Sequence, residues 1–524
     1  MSDSYVLDAD VALLLSAPTA SETPAANRVY VNRNLRMDGI EAVGFDMDYT
    51  LAIYHMRRIE QLSFDMTVDL LVRSFGYPEE IRGIAYDPDF VIRGLTVDKL
   101  HGNLLKMDRF NYVGRVYHGR KPVDREERRR LYRDEKIHLG TKRWASIDTL
   151  FALPEAALYA ELIDLLEPRG GLDFARLYDD IREAIDTVHR DGSLKGVLMQ
   201  DLPSYVLRDP DLGPALHKLR SSGKKLFVLT NSLFDYTNAV MSHLLDGLMP
   251  KYPTWRNYFD FVIVGGGKPR FFAERHPLLQ LDPTGAVTGE AGVLEKGGIY
   301  QGGNRVDFER LLGIAGEKIL YVGDHIYGDI LRSKKSSLWR TCMVVEELEQ
   351  EIAYLERNAE EMRHLAQDER LEARLEDEIN LYKTRLNSLE RRLAQADLEP
   401  KERDGYEAER REAKRMLEKL RRAGREVGEE VERLSDVVEL GFNRYWGLVF
   451  KEGPENSRFG EQIEDYACIY TSRVSNLLHY SPMQYFRAPR AMMPHEVGMS
   501  ALSVFGADNR APGDTLDDTS RAIG

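Results

Sequence analysis

One short strand that ends in two acidic residues constrains this chain more than any other feature. Residues 40–45 are rich in residues that suit a buried β-strand, and this run ends in Asp46 and Asp48. Side chains alternate along an extended segment, so both carboxylates lie on one side of the chain unless the backbone turns between them. Two neighbouring negative charges favour a positive partner, and a hard divalent cation that takes oxygen ligands suits that place.

Later parts of the chain alternate short apolar runs with helical segments, which is typical of a parallel sheet covered by helices on both faces. The predicted strands are residues 225–232, 258–264 and 318–324, and each ends in polar residues. Ligands bind beyond the carboxyl ends of parallel strands, so we expect these polar residues to share one crevice. They are Asp46, Asp48, Thr230, Asn231, Ser232, Lys268, Asp324 and Asp329.

The region between the first strand and residue 225 mixes predicted helices with β-like runs. The helices are residues 60–75, 124–135, 154–166 and 174–190, and the β-like runs are residues 90–95, 104–107 and 112–116. The helix at 124–135 is rich in both basic and acidic residues, which we interpret as a solvated face. Residues 30–36 fit an edge segment that leads into the first central strand.

Residues 346–434 are mostly charged and carry a heptad-like apolar seam. The pattern predicts an antiparallel helical hairpin, a coiled coil, whose first arm is about 70 Å long at about 1.5 Å per residue. Residues 397–405 interrupt the seam. Its members are Leu375, Ile379, Tyr382, Leu386, Leu389, Leu393, Ala413, Leu417, Leu420, Val427, Val431, Leu434 and Val438.

Charge and cysteine content narrow the class of protein. The net charge of -14, from 72 basic and 86 acidic residues, argues against a general nucleic-acid binder. Only Cys342 and Cys468 occur, which argues against a disulfide framework or a cysteine-ligated zinc site and fits a reducing cytoplasm. No apolar run is long enough for a membrane span, and the patch at residues 11–15 is too short for a signal peptide. We therefore expect a cytoplasmic protein with no membrane partner.

Four stretches together resemble the motifs of haloacid-dehalogenase-type phosphatases, and more closely those of cytosolic purine 5'-nucleotidases. They are residues 45–51, 229–232, 267–272 and 322–330. The resemblance covers residues 29–345 and resumes at residues 441–496, where residues 476–480, 486–488 and 493–496 also match. Together with the apolar seam, it favours a homo-oligomer.

The resemblance and the sequence patterns imply a division of the chain into six parts. A Rossmann-like α/β core takes residues 28–55 and 220–345, and an inserted, mostly helical cap that sets substrate specificity takes residues 56–219. The helical hairpin is an insertion at residues 346–438, and residues 439–497 pack on the core. Residues 1–27 and 498–524 are expected to be flexible.

The same residue types suit phosphomonoester hydrolysis on chemical grounds. The reaction needs a nucleophile, an acid for the leaving oxygen and positive charge near the phosphoryl oxygens. Asp46 suits the nucleophile, because a carboxylate can form an aspartyl phosphate that water later cleaves. Asp48 suits the acid and then the base. Phosphate contacts are expected from Thr230, Asn231, Ser232 and Lys268, and Mg²⁺ ligands from Asp46, the Asp48 carbonyl, Asp324 and, less directly, Asp329.

A helix of the predicted cap carries candidate residues for recognition of the base. Arg182, Asp186 and His189 lie at i, i+4 and i+7, on one helical face, a spacing that fits an ordinary surface ion pair equally well. The resemblance favours a base site, because an Arg beside an Asp complements the O6, N7 and N1–H groups of hypoxanthine or guanine. It also implies that Phe151 stacks on the base, although a core aromatic fits Phe151 too. By the same resemblance, His189 flanks the base and Lys195 reaches the phosphate.

Two positions depart from the animal members, which respond to nucleotide effectors. Those members carry Asn at the position of Asp148 and Phe at the position of Tyr327. A carboxylate disfavours an anionic polyphosphate, so we do not expect that effector response to carry over.

We consider three functional hypotheses for the chain. The leading one is a Mg²⁺-dependent 5'-nucleotidase that acts on inosine and guanosine monophosphates. The second is a nucleoside phosphotransferase that uses the same Asp46, and the third is a non-enzymatic scaffold organised by the hairpin. Intact Asp46, Asp48, Lys268 and Asp324 argue against the scaffold, because a retired catalytic core has no need of them.

Overall fold

The computed structural model describes residues 23–325, 338–395 and 398–490. In these ranges the strands are β1 (Tyr30–Val31), β2 (Leu35–Arg36), β3 (Ala42–Phe45), β4 (Ile53–Tyr54), β5 (Leu95–Asp98), β6 (Asn103–Met107), β7 (Val113–His118), β8 (Lys121–Pro122), β9 (Trp144–Ile147), β10 (Val206–Leu207), β11 (Lys225–Leu229), β12 (Phe261–Val264), β13 (Leu278–Leu281), β14 (Val287–Glu290), β15 (Gly298–Gly302), β16 (Ile319–Gly323), β17 (Arg340–Val344), β18 (Lys451–Glu452), β19 (Glu455–Asn456), β20 (Ile469–Thr471) and β21 (Tyr485–Phe486).

The α-helices of the same ranges are α1 (Met56–Phe75), α2 (Arg125–Tyr132), α3 (Leu153–Leu166), α4 (Phe174–Arg190), α5 (Ser193–Gln200), α6 (Leu202–Tyr205), α7 (Leu212–Ser221), α8 (Phe234–Leu245), α9 (Arg270–Ala273), α10 (Arg305–Leu312), α11 (Glu347–Arg357), α12 (Ala359–Leu393), α13 (Pro400–Leu440) and α14 (Arg458–Tyr466). Short 3-10 helices lie at Ala25–Asn27, Met37–Gly39, Glu79–Gly83, Leu150–Ala152, Glu167–Arg169, Trp255–Tyr258, Gly316–Lys318 and Val474–His479. None of the described helices is both long and apolar enough to cross a membrane.

A ten-stranded sheet forms the centre of the molecule, with the order β1-β20-β17-β16-β3-β11-β12-β15-β13-β14. Neighbouring strands from β20 to β15 in this order are parallel, and β1 and the β13–β14 hairpin add antiparallel edges. Every residue of β3, β12 and β16 is buried, which is why these apolar runs occupy the middle of the sheet. The predicted α/β fold with a large parallel sheet is confirmed, and so is the edge segment at residues 30–36.

Two local predictions are wrong. Residues 90–94 precede the strand rather than form it, because Gly94 closes a turn at φ 91° and strand β5 starts only at Leu95. The second is the extent of the break in the apolar seam, which was predicted at residues 397–405, because residues 400–405 already belong to the second long helix. Helix α13 begins at Pro400, and proline suits the first turn of a helix because the amide it lacks would have no partner there.

Residues 56–219 combine helices with a second sheet, which is antiparallel and has the order β8-β7-β6-β5-β9. Their apolar side chains continue the core of the large sheet, since Phe64, Leu158 and Ile181 belong to the same buried cluster as Val43 and Val322. This segment therefore packs directly on the central sheet.

The end of the expected N-terminal arm is packed against the body. Residues 25–27 form a 3-10 turn, and the Asn27 amide donates a hydrogen bond of 3.1 Å to the Asn476 side chain. Residues 1–22 and 491–524, with the expected tail and the matching stretch at 493–496, lie outside the described ranges.

Helices α12 and α13 pack against each other through part of the predicted seam. Leu386, Leu389, Ala413 and Leu417 form a buried cluster there, with Ile379, Tyr382 and Tyr406 partly buried against it. The first long helix has 35 residues, about 50 Å at 1.5 Å per residue, because a break at Asn358 separates it from α11. The expected arm of about 70 Å is thus divided into two helices.

Candidate active site

The predicted strand-end residues converge on one edge of the large sheet. Phe45 in β3 lies opposite Val228 in β11 and Val322 in β16, so the residues that follow these three strands leave the sheet side by side. The Asp46 amide continues this pairing by donating to the Val322 carbonyl at 2.9 Å. A cavity of about 130 Å³ lies at this edge, lined by Asp46, Asp48, Thr149, Phe151, Asn231, Lys268, Asp324 and His325.

Asp46 and Lys268 form an ion pair in the wall of this cavity. The Lys268 Nζ lies 2.8 Å from Asp46 Oδ2, and the two side chains are only 3% and 12% exposed. The ammonium also donates to the Tyr321 hydroxyl at 2.9 Å, and that hydroxyl donates to the Leu229 carbonyl at 2.9 Å. The Met47 amide donates to Asp46 Oδ1 at 2.7 Å. These contacts fix the carboxylate and balance its charge.

The Asp48 carboxylate accepts a hydrogen bond at each oxygen. The Tyr54 hydroxyl donates to Oδ1 at 2.5 Å and the Ser232 hydroxyl donates to Oδ2 at 2.8 Å. Tyr54 also lies 3.0 Å, oxygen to oxygen, from the Tyr236 hydroxyl. Burial, followed by the charge of Asp48, raises the pKa of Tyr54 well above its ordinary value, so this phenol stays protonated as a donor.

A turn between the two acids changes their predicted relation. Residues 46–52 leave the strand in turns, and Tyr49 takes a left-handed φ of 54°, which is uncommon for an aromatic residue. Asp46 consequently faces Lys268 while Asp48 faces the hydroxyls of Tyr54 and Ser232. The two carboxylates have different environments, which suits two different chemical roles.

The three residues that follow strand β11 have different surroundings. Asn231 and Ser232 line the cavities of this site, and Thr230 does not. Thr230 is fully buried, and its hydroxyl accepts from the Ser232 amide at 3.1 Å rather than lining either of the two cavities of this site. Asn231 accepts from the Lys268 amide at 2.6 Å and donates to the Lys268 carbonyl at 2.9 Å. The Ser232 hydroxyl accepts from Lys195 Nζ at 3.0 Å.

Asp324 completes the edge from the neighbouring strand. It is buried and lines the same cavity as Asp46. Its carbonyl accepts a hydrogen bond of 3.0 Å from the fully buried Arg93, whose guanidinium is paired with Glu347. Asp148, one of the two departures from the animal members, lies 3.5 Å from His325 Nε2. Tyr327 and Asp329 lie outside the described residues.

The donor set fits a hard cation. Among the described residues, no three His, Cys, Asp or Glu side chains form a group that could hold a metal. The expected set needs only the Asp46 and Asp324 carboxylates with the Asp48 carbonyl, and these residues line one small cavity. Oxygen donors of this kind suit Mg²⁺, which keeps several of its own waters.

A second cavity of about 270 Å³ adjoins the first and shares Asp48, Phe151 and Asn231 with it. Helix α4 brings the predicted base-site residues into this cavity, together with Lys195 and Ser232 from other elements. Its wall is formed by Asp48, Thr149, Phe151, Ala152, Glu155, Arg182, Ile185, Asp186, His189, Leu194, Lys195, Leu198, Asn231, Ser232 and Tyr236. The cavity therefore brings the predicted recognition residues and one predicted catalytic acid, Asp48, into one wall.

Arg182 is paired with two acids at this cavity. Its Nη1 donates to Glu155 Oε2 at 2.9 Å and its Nε donates to Asp186 Oδ2 at 3.3 Å. Burial alone would lower the pKa of Arg182, but the charge of Glu155 offsets burial and the pKa is raised. Burial raises the pKa of Glu155, whose side chain is 1% exposed. Arg182 is 47% exposed, so it can still offer donors to a ligand.

Two rings form one wall of the cavity. Phe151 and His189 meet edge to face with ring centroids 5.1 Å apart, and the ring centroids of Tyr49 and Phe151 are 4.6 Å apart, also in edge-to-face geometry. Burial, followed by the charge of Lys195, lowers the pKa of His189 from 6.5 to about 4. The imidazole is therefore neutral at neutral pH and offers an uncharged edge to a bound molecule.

This low pKa predicts an acid sensitivity that can be measured. The folded pKa of His189, about 4, lies below its ordinary 6.5, so the imidazole adds stability above pH 6.5 that is lost as pH falls from 6.5 towards 4. We expect the His189→Gln variant to lose less unfolding free energy than the parent between pH 7 and pH 5, by about 1 kcal/mol or more. Urea denaturation at the two pH values measures the difference. The exposed His138→Gln should behave as the parent, and equal losses in all three proteins would contradict the assignment.

Sequence reasoning missed several residues that build this site. Glu155 is the main one, and its signal is an acid on helix α3 surrounded by apolar residues. Such an acid is seldom buried without a partner. Tyr54, Tyr236 and Tyr321 carry hydroxyls that orient the acids and the lysine, but nothing in the sequence separates them from core aromatics.

The sequence of this chain is similar to those of known proteins. A family model described as "5' nucleotidase family" matches residues 29–498. A 5'-nucleotidase domain-containing protein of Dictyostelium discoideum is 31% identical over 478 residues, which is 89% of this chain and 74% of that protein. The 5'-nucleotidase domain-containing protein 2 of Rattus norvegicus is 31% identical over 488 residues, covering 90% of this chain and 80% of the relative. Its Homo sapiens counterpart is also 31% identical, and 85% of it is covered.

Solved structures add little to this. A protein described as a predicted phosphoglycolate phosphatase from Haemophilus somnus is 12% identical, over 59% of this chain and 86% of that chain, with a TM-score of 0.27. A likeness at that score carries no argument. The sequence matches confirm the resemblance that the four motifs carry, and the chain belongs to the 5' nucleotidase family.

Proposed function

We propose that this protein is a Mg²⁺-dependent 5'-nucleotidase that hydrolyses purine nucleoside monophosphates, with inosine and guanosine monophosphates preferred. Membership of the family supports hydrolysis of nucleoside monophosphates in general. The observation that carries the finer proposal is the pair of adjoining cavities, one with Asp46, Lys268 and Asp324 and one with Arg182. A phosphoryl group in the first and a base in the second would belong to one molecule.

The proposed reaction begins at the phosphoryl end. Asp46 attacks the phosphorus atom and the bond to the 5' oxygen breaks, which gives an aspartyl phosphate and an alkoxide that takes a proton from Asp48. Lys268 offsets negative charge on Asp46 and on the phosphoryl oxygens. Mg²⁺, held by Asp46, Asp324 and the Asp48 carbonyl, would supply further positive charge there. Water then attacks the phosphorus atom of the aspartyl phosphate and gives its proton to Asp48, and the bond between phosphorus and the Asp46 oxygen breaks, which releases phosphate and restores the Asp46 carboxylate.

The contacts of Asp48 support its proposed role as a base in the second step. Tyr54 and Ser232 donate to the two carboxylate oxygens and hold the carboxylate in the orientation of a base. Lys195 donates to the Ser232 hydroxyl at 3.0 Å, which supports the proposal that both side chains contact the phosphate. Ser232 therefore links the proposed acid–base residue to the proposed phosphate contacts.

Base preference rests on the arrangement around Arg182. A 6-oxopurine presents acceptors at O6 and N7, which complement guanidinium donors, and an N1–H donor that complements Asp186. Adenine carries an amino group at position six, which would face a donor. Phe151 offers a ring face for stacking, and the neutral His189 adds an uncharged edge.

A panel of nucleoside monophosphates, each with magnesium and with a chelator, tests the whole proposal. We expect kcat/KM for inosine and guanosine monophosphates to exceed that for adenosine monophosphate at least about tenfold, or ~1.4 kcal/mol. We also expect turnover to disappear with the chelator and to return with added magnesium. Preference for adenosine monophosphate would contradict the proposed recognition of 6-oxopurines, and full turnover with the chelator would contradict the proposed dependence on Mg²⁺. Added inosine that becomes a monophosphate would reveal phosphotransfer.

A variant on helix α4 tests the recognition residue directly. We expect Arg182→Met to reduce the preference for 6-oxopurines towards unity, because the donors that face O6 and N7 are removed. Arg176 on the same helix pairs with Asp180 at 3.7 Å on the surface, so Arg176→Met is a matched control. Unchanged preference in Arg182→Met, with the thermal unfolding temperature maintained, would show that another group reads the base.

A further inference from the structure

A third cavity lies apart from the two described above, on the surface beside the antiparallel sheet. Its volume is about 330 Å³, within the range of small-ligand sites. It lies at strand β7 and helix α2, and its lining residues are Tyr112, Val113, Arg128, Arg129, Tyr132 and Arg133. None of these lines the proposed active site.

The charge around this cavity is opposite to that of the whole chain. Residues 109–143 contain twelve Lys or Arg and five Asp or Glu, in a protein whose net charge is -14. Within the described part of the chain, Arg128, Arg129 and Arg133 form no ion pair with any acid. Arg130 on the same helix does pair, with Glu127. Three of the six lining residues are thus arginines without a carboxylate partner.

Helix electrostatics do not explain this arrangement. Basic residues in the last turn of a helix interact favourably with the helix dipole, and a solvated face is the ordinary interpretation of such a sequence. However, Arg129 and Arg133 are one turn apart on the same face, where like charges repel. The acids within the helix are at its other end, where Asp124 caps it, and of the two acids that follow Arg133, Asp134 and Glu135, the second is paired with Arg143. A counter-charge from outside the chain would offset this repulsion.

The cavity is held by well-anchored groups. The Arg128 guanidinium donates to the Gly114 carbonyl, which ties helix α2 to strand β7. The Tyr132 hydroxyl accepts from Asn103 at 2.8 Å and donates to Asp98 at 3.0 Å. Tyr112 is 53% exposed and offers an apolar ring at the rim. These contacts fix the frame of the cavity, on which Arg129 and Arg133 are exposed.

We propose that this cavity binds a small ligand with a pyrophosphoryl group, through Arg129 and Arg133, with Arg128 adding charge. Guanidinium groups form paired hydrogen bonds to phosphoryl oxygens, and two neighbouring forks match two linked phosphates. Tyr112 would pack against a sugar or base when the ligand carries one. Such a ligand is either an inorganic polyphosphate or a nucleoside diphosphate, which share this chemistry. The site does not depend on the proposed hydrolysis.

Calorimetric titration of the full-length protein in magnesium-free buffer tests the site, with pyrophosphate, adenosine diphosphate and adenosine as probes. We expect the Arg129→Gln/Arg133→Gln double variant to bind pyrophosphate at least tenfold more weakly than the parent at this site. Arg130→Gln, which removes a paired arginine from the same helix, should bind as the parent does. Parent affinity should fall steeply as salt is raised, because the contacts are ionic.

The relative affinities of the probes distinguish an inorganic polyphosphate from a nucleoside diphosphate. Tighter binding of the diphosphate than of pyrophosphate, lost in Tyr112→Ala, would identify a nucleotide, and equal affinities would identify the pyrophosphoryl group alone. Parent-like affinity in a double variant that retains its unfolding temperature would overturn the proposal, and so would the absence of any binding that Arg129 and Arg133 affect. Binding is read without turnover, so failure here leaves the proposed hydrolysis untouched.

Discussion

We expect the Asp46→Asn variant to release phosphate from nucleoside monophosphates at least about 10³-fold more slowly than the parent. The physical reason is that an amide cannot form the aspartyl phosphate on which the two-step reaction depends. A residual rate reflects charge and positioning that remain around the substrate. The measurement is kcat for phosphate release under saturating substrate and magnesium.

The Asp46→Asn variant is compared with a matched control variant, and the fold of both is checked. Asp404→Asn makes the same chemical change at an exposed position of helix α13, and we expect full activity from it. Circular dichroism of both variants shows whether the fold is retained. Turnover by a folded Asp46→Asn protein at the parent rate would rule out Asp46 as the nucleophile.

The second large effect is expected from Lys268→Met. Its ammonium is 2.8 Å from the Asp46 carboxylate, and both side chains are buried. Removing one partner of a buried pair leaves an uncompensated charge and costs about 3–5 kcal/mol of stability. Removing a positive group aimed at the reacting oxygens slows the reaction by about 10²–10³-fold. Urea denaturation and steady-state kinetics measure the two effects.

An exposed pair of the same chemistry provides the comparison. Lys318 and Glu41 are paired at 2.6 Å, but their side chains are 48% and 50% exposed. Solvent screens such a pair, so Lys318→Met should destabilise the protein far less than Lys268→Met does and leave kcat unchanged. If both lysine variants lost the same small amount of stability and retained activity, the Asp46–Lys268 pair would have no special role.

The large sheet was predictable because its strands are unusually clear in the sequence. Strands β3, β12 and β16 are continuous runs of apolar residues and glycine, and an acid follows β3 and β16 directly while Lys268 follows β12 after three glycines. Once these strands run parallel in one sheet, their carboxyl ends lie at the same edge, so Asp46, Lys268 and Asp324 are expected to meet there. Residues hundreds of positions apart could thus be grouped without any contact information.

Other parts of the site depend on contacts that no local pattern contains. Periodicity places Arg182 and Asp186 on one face of helix α4, but it does not show that Glu155 from helix α3 pairs with the same arginine. The sequence also did not show whether the chain turns after Asp46. An extended segment would put both carboxylates on one side, whereas the observed turn gives them different neighbours. The buried Arg93 was hidden inside a run that resembled a strand.

The two hydrogen bonds between the Asn231 side chain and the Lys268 backbone have an evolutionary consequence. They join the segment that bears the Ser232 hydroxyl to the segment that bears the ammonium, by a donor and an acceptor on one amide side chain. An insertion or deletion in either segment would displace both functional groups together. Lineages of this protein should therefore vary in length elsewhere along the chain, and these two short segments should keep a constant number of residues.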